Sequence, residues 1–168
     1  MKVLLAGCMV FVIQIKMMNQ YQASKKMVTK GGMTVRWKVE DEILIVTMIA
    51  QTSGWLAIGF NHSDQLAGTN LLMGAVEQGF YRVEDRFIVA PGNHKAMTEL
   101  GARDQILHRH GKERNGETVI EFAIPLQATD DFHLSLQEGG EYFLLMAYSL
   151  EDDFEHHSIM RTSTKIKL

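Results

Sequence analysis

Met33-Thr34-Val35-Arg36-Trp37-Lys38-Val39-Glu40, followed closely by Ile43-Leu44-Ile45-Val46-Thr47-Met48-Ile49-Ala50, decides the fold class. In the first run Met33, Val35, Trp37 and Val39 alternate with polar residues, a period of two that a half-buried strand explains. Glu40-Asp41-Glu42 turns the chain. The second run is β-branched and apolar on both faces, as a central strand of a sandwich should be. Gln51-Thr52-Ser53-Gly54 breaks it and Trp55 to Phe60 resumes.

The same grammar continues outward. Asn61 to Thr69 is a polar loop, Leu71 to Val76 a strand, Gln78-Gly79 a turn, and Phe80 to Val89 the returning strand. Residues 91–116 show little periodicity and are rich in His, Asp, Glu, Arg and Gly, as a functional loop or crossing connection would be. Asn115-Gly116 signals a tight turn before the alternating Thr118 to Ile124. Pro125 ends that strand, 126–141 reads as loop or one short helix, and Tyr142 to Tyr148 and Ile159 to Leu168 close the chain in strands. About eight short strands without an amphipathic helix predict an all-β, antiparallel, immunoglobulin-like sandwich of one domain. Val35, Trp37, Ile45, Ile58, Leu72, Phe122, Ile124 and Leu145 are the expected buried set.

The 168 residues suffice for one cored domain, and 46% hydrophobic with 22% charged residues excludes default disorder. A net charge of -3 without a Lys/Arg run argues against nucleic acid as a partner. Residues 1–23 carry a basic start at Lys2, an apolar run from Val3 to Ile15 and a polar exit, the order of an export signal. That run is shorter than the ~20 residues of a membrane span. The chain therefore divides into a 1–23 signal peptide or export segment and a 24–168 domain. The expected location is periplasmic, cell-surface or secreted. Leu5-Ala6-Gly7-Cys8 also resembles a lipoprotein acylation box, although the apolar run continues past the cysteine. Without residues 1–23 the domain loses Lys2 and Lys16 and no acid, leaving a net charge of -5 and no cysteine.

Gly54-Trp55-Leu56-Ala57-Ile58-Gly59-Phe60 resembles the GW-x-x-x-GF strand of DOMON domains. In order after it, Leu66 to Gly74, Val83 to Arg86, Glu117 to Ile124, Tyr142 to Tyr148 and Phe154-Glu155-His156-His157 resemble the segments such domains carry next. The resemblance covers about residues 31–168. It implies a ligand-binding module, not an enzyme, which holds haem b for electron transfer or a sugar. It also implies a membrane or extracytoplasmic redox protein as partner. The family's haem-binding members place a methionine where this chain has Leu66, and a histidine where it has His156 or His157. Leucine has no lone pair for iron, so the resemblance supplies half of an axial pair. His62, in the same loop as Leu66, is a conceivable replacement, whereas Met73 reads as core. Trp55 is a candidate to stack on a flat ligand, while Trp37 belongs to the core with Val35 and Val39.

Other chemistry is weaker. The seven histidines, His62, His94, His108, His110, His133, His156 and His157, fall in loops or at strand ends and mostly read as solvated surface. His108-Arg109-His110 puts two imidazoles on one side of an extended segment. With His94, Glu99 or Asp104 this would make a third reading, a His-rich metal-site enzyme. Glu84/Asp85 and Asp130/Asp131 are adjacent in sequence, so in a strand each pair points to opposite faces and makes a poor acid–base couple. Glu151 to Glu155 reads as an acidic turn. No nucleophile elbow is present, and metal ligands are not assigned.

Overall fold

The structure, a computed structural model, describes residues 26–168. The expected export segment and Cys8 lie outside the described residues. Among the described residues, eleven strands form two antiparallel sheets: β1 (Lys26–Lys30), β2 (Met33–Glu40), β3 (Ile43–Ala50), β4 (Leu56–Asn61), β5 (Asn70–Glu77), β6 (Phe80–Ala90), β7 (Asn93–Ala96), β8 (His108–Arg114), β9 (Glu117–Pro125), β10 (Glu141–Tyr148) and β11 (Met160–Lys167). One sheet runs β1-β2-β3-β9-β8 and the other β11-β10-β4-β5-β6-β7. Their facing sides supply the core, with Val35, Trp37, Leu44, Val46, Met48, Ile120 and Phe122 meeting Leu56, Ile58, Leu72, Leu144 and Met146. This is the expected sandwich.

The alternating runs land on the strands read from sequence, because each must bury one face. Asp41 and Glu42 make the β2–β3 turn with φ of 49° and 64°, and Asn115-Gly116 makes the β8–β9 turn at 56° and 71°. Positive φ at both central residues matches the twist of the flanking strands.

Three readings change. Ile45 is half-buried on the outer face of β3, because its neighbours Leu44 and Val46 take the core side. Lys26–Lys30 pairs with β2 as an edge strand whose polar residues conceal it. The stretch 91–116 is no plain loop, since it holds β7, a single 3-10 turn at Met97–Leu100, and β8. An edge strand such as His108-Arg109-His110-Gly111-Lys112-Glu113-Arg114 faces water on much of its surface, which erases the period-two signal. The stretch before β10, expected as loop or one short helix, is loop.

Candidate functional site

Strand alternation gives the six-stranded sheet a second, outward-facing apolar side. Trp55, Ala57, Met73 and Ala75 point away from the core and cluster with Phe154. Over this floor lies a cavity of about 110 Å³. Leu66 and Ile88 line it together with the polar rim residues His94, Glu155, His156, His157 and, on β11, Arg161. The cavity thus sits on the outer face of one sheet, not between the two. Leu66, Trp55, His156 and His157 all line it.

His62 does not. Its ring lies against Tyr142, with centroids 5.7 Å apart, and Tyr142 belongs to the inter-sheet core. The loop therefore presents Leu66 to the cavity and His62 to the other side of the sheet. Met73, read from sequence as core, is fully buried yet faces the cavity floor.

Gly54 shows why the turn bearing the histidines can dock here. A Cβ on Gly54 would run into the backbone of Ser149, Leu150 and Glu151, so only glycine permits the two chain segments to touch. The neighbouring backbone is then stitched together: Trp55 N–H donates to Glu151 O and Ser149 N–H to Trp55 O, both at 3.0 Å. Beyond this seam the Trp55 indole N–H donates to His156 O at 3.2 Å, and the Ser149 hydroxyl donates to His157 O at 3.1 Å. The main chain of both histidines is held, while both side chains are exposed and make no hydrogen bond to the described residues.

Arg86 fastens the rest of the rim. Its side chain is 8% exposed. Nε donates to His94 Nδ1 at 2.7 Å, Nη1 to Glu84 Oε2 at 2.6 Å and Nη2 to Glu155 Oε1 at 2.7 Å. One guanidinium therefore joins β6 to β7 and to the 151–158 turn. Burial first, then the positive charge of Arg86, lowers the His94 pKa and favours its neutral form. Sequence reasoning gave Arg86 no role and considered His94 only as surface or as a ligand of a His-rich metal site. The available signal was the run Glu84-Asp85-Arg86 inside a strand, three charges where burial demands partners.

A second polar cluster lies apart from the cavity. His133, expected at the surface, has a side chain only 6% exposed, between Asp85 and Asp130. Its Nε2 is 2.9 Å from Asp85 Oδ2 and its Nδ1 2.6 Å from Asp130 Oδ1. Glu84 and Asp85 do point to opposite faces, one to Arg86 and the other to His133.

The histidines and acids considered for a metal are otherwise engaged. His108 faces Glu121 at 3.6 Å, His110 packs on Tyr81, and Asp104 pairs with Arg109. Glu99 accepts the Ala96 N–H at 3.0 Å and His94 accepts from Arg86. Among the described residues no group of three or more His, Cys, Asp and Glu is disposed to hold a metal ion.

The profile of the DOMON domain matches residues 29–149. The chain belongs to the DOMON family. This DOMON domain is 25% identical over 118 residues to MOXD1 homolog 2 of Drosophila melanogaster, covering 70% of this chain and 15% of that protein. It is 24% identical over 143 residues to DBH-like monooxygenase protein 1 of Mus musculus, covering 83% of this chain and 22% of that protein. The chain thus spans less than a quarter of the length of these relatives. Among solved structures, it resembles the cytochrome b domain of pyranose dehydrogenase from Coprinopsis cinerea, with a TM-score of 0.60 and 11% identity over 85% of this chain and 81% of that one. It also resembles the cytochrome domain of Myriococcum thermophilum cellobiose dehydrogenase, with a TM-score of 0.53 and 11% identity over 83% and 76%. At such identity the likeness is one of fold.

The donor set answers only in part to a haem. Imidazoles come from the 151–158 turn, but Leu66, which lines the same cavity, offers the iron nothing. The cavity is also smaller than the ~300–1,000 Å³ that engulfs a drug-sized ligand. A large ring must therefore part the rim segments to be enclosed.

Proposed function

We propose that this DOMON domain is an exported binding module for a flat, largely apolar ring ligand, with haem b the leading candidate. The observation that carries the reading is one cavity bringing the apolar floor of Trp55, Ala57 and Met73 together with the free imidazoles of His156 and His157. Either imidazole would supply a nitrogen ligand to the iron, and Leu66 would make an apolar contact with the ring. A bound haem supplies one-electron transfer, which makes a redox protein or a neighbouring domain the partner class. The cytochrome domains of similar fold support the choice of haem over other rings. A sugar is less well served, since Trp55 is 5% exposed and its indole N–H is already spent on His156 O. No catalytic role is proposed for the domain itself.

Titration of the purified protein with haemin, followed at the Soret band, tests this reading. A saturable band shift is expected. It should disappear when His156 and His157 are both replaced by alanine. Leu66→Met should strengthen binding and move the spectrum toward a six-coordinate, low-spin form. If wild type and Leu66→Met both leave the haemin spectrum unchanged with haemin in excess, the haem assignment is wrong.

Export belongs to the same proposal and rests on the basic–apolar–polar order of residues 1–23. The intact mass of the protein from its native cell should correspond to a chain lacking that segment. A mass that includes Met1 to Ala23 would exclude cleavage, and a lipid-shifted mass beginning at Cys8 would indicate anchoring instead.

A further inference from the structure

We propose that the ligand of this cavity is an acid, a planar apolar ring with a carboxylate at its edge, and that Arg161 selects it. The inference rests on the reading of the cavity as a ring-binding site and goes beyond it by naming the ligand's charged group.

Two residues that carry a full charge line the cavity apart from its histidines, Glu155 and Arg161. Glu155 is already answered, because its Oε1 accepts from Arg86 Nη2 at 2.7 Å. Arg161 has no carboxylate within ion-pair distance among the described residues. Its Nε donates to the hydroxyl of Ser158 at 2.9 Å, and Ser158 also lines the cavity. That bond restrains the guanidinium beside the opening and leaves both Nη groups without a hydrogen bond to the described residues. His94 does not add to the positive charge, because its Nδ1 already accepts the Arg86 Nε–H. The rim therefore carries one unanswered cation over an apolar floor.

A guanidinium presents its N–H groups as a planar fork that matches a carboxylate, and such a charged pair is stronger than a neutral hydrogen bond. A ligand buried on the floor by its ring, with its acid reaching β11, would meet both features at once. A neutral ring would leave the fork to water and gain only from the floor.

Protoporphyrin IX and its dimethyl ester separate the two contributions, since neither carries iron and so neither needs an axial ligand. Quenching of tryptophan fluorescence, with Trp55 in the cavity wall, reads binding of each to the full chain. The wild type should bind the diacid about tenfold more tightly than the diester, the scale of one charge-assisted contact. Arg161→Gln should remove that preference by weakening the diacid alone, and Arg161→Lys should retain part of it. Equal affinity of wild type for the two porphyrins, or equal weakening of both by Arg161→Gln, overturns the inference and leaves the ring site standing. Binding of neither porphyrin overturns the ring site and the inference together.

Discussion

Asp85→Ala should cost about 3–5 kcal/mol of folding stability, the range for removing one partner of a buried charged pair. The Asp85 side chain is 1% exposed. Its Oδ1 accepts from the Asn70 side chain at 2.6 Å, and its Oδ2 accepts from the Gln105 N–H and from His133, both at 2.9 Å. One carboxylate thus ties β5, the 101–107 segment and the 126–140 segment to β6. Alanine would leave the buried Gln105 N–H without an acceptor and would take from His133 and the Asn70 amide one of the two partners each has. Urea unfolding of the wild type and Asp85→Ala measures the difference, and a loss below about 1 kcal/mol would mean that the cluster is not a fastening.

The same cluster sets a pH dependence. Burial is the largest single influence on His133 and lowers its pKa. The hydrogen bonds to Asp85 and Asp130, with their negative charges, outweigh it and leave the pKa raised above 6.5. The folded state therefore holds this proton more tightly than the unfolded chain. The stabilisation is fully present below 6.5 and is lost as pH rises through the raised value. His133→Gln should be less stable than wild type at pH 5.5, and the gap should narrow by pH 9. A gap that stays constant across that window would show that the charge on His133 contributes nothing. His94 has the opposite sign: burial and then Arg86 lower its pKa, so its contribution fades as the medium becomes acidic.

Arg86→Met is expected to cost about 2–4 kcal/mol and to loosen the cavity rim. The cost should fall toward the lower end because Glu84 and Glu155 are 28% and 70% exposed and regain water when the guanidinium is removed. Methionine keeps much of the apolar stem but none of the four bonds to His94, Glu84 and Glu155. Lysine is not a substitute, since a single ammonium cannot span three partners held by a planar fork. Hydrogen exchange should speed up in the 151–158 turn, which carries His156 and His157, before it changes in β4 or β10. Haemin or porphyrin affinity should fall in parallel, because the turn's histidines would no longer be held against the floor. Unchanged exchange in that turn would assign Arg86 a role in stability alone.

Particular elements show where the sequence was readable. Met33 to Ala50 predicted two strands and their turn because one face of each must be apolar, and that requirement is local. Gly54-Trp55 and Phe154 to His157 were recognisable as matching segments, and folding brings Leu66, Trp55, His156 and His157 to one cavity. What it left open was which face of a strand an apolar residue serves. Ile45 and Met73 look alike in sequence, yet one lies half-exposed outside the five-stranded sheet and the other floors the cavity.

The amino-acid sequence by itself determined the sandwich and its central strands, because period-two burial and turn residues are written in consecutive positions, and its segments from Gly54 to His157 resembled those of the DOMON family. Only the tertiary structure decided the partners of charged and polar groups. Arg86 meets Glu155 across 69 positions of chain, and His133 meets Asp85 across 48. The local pattern marks Asp85 and Arg86 as charges inside a strand without naming their partners, and nothing in it separates His133 from a solvated histidine. Their pairing follows from the strand order of the six-stranded sheet and from the loops that fold over it, since a charge carried into the interior must find its counterpart wherever the topology places it.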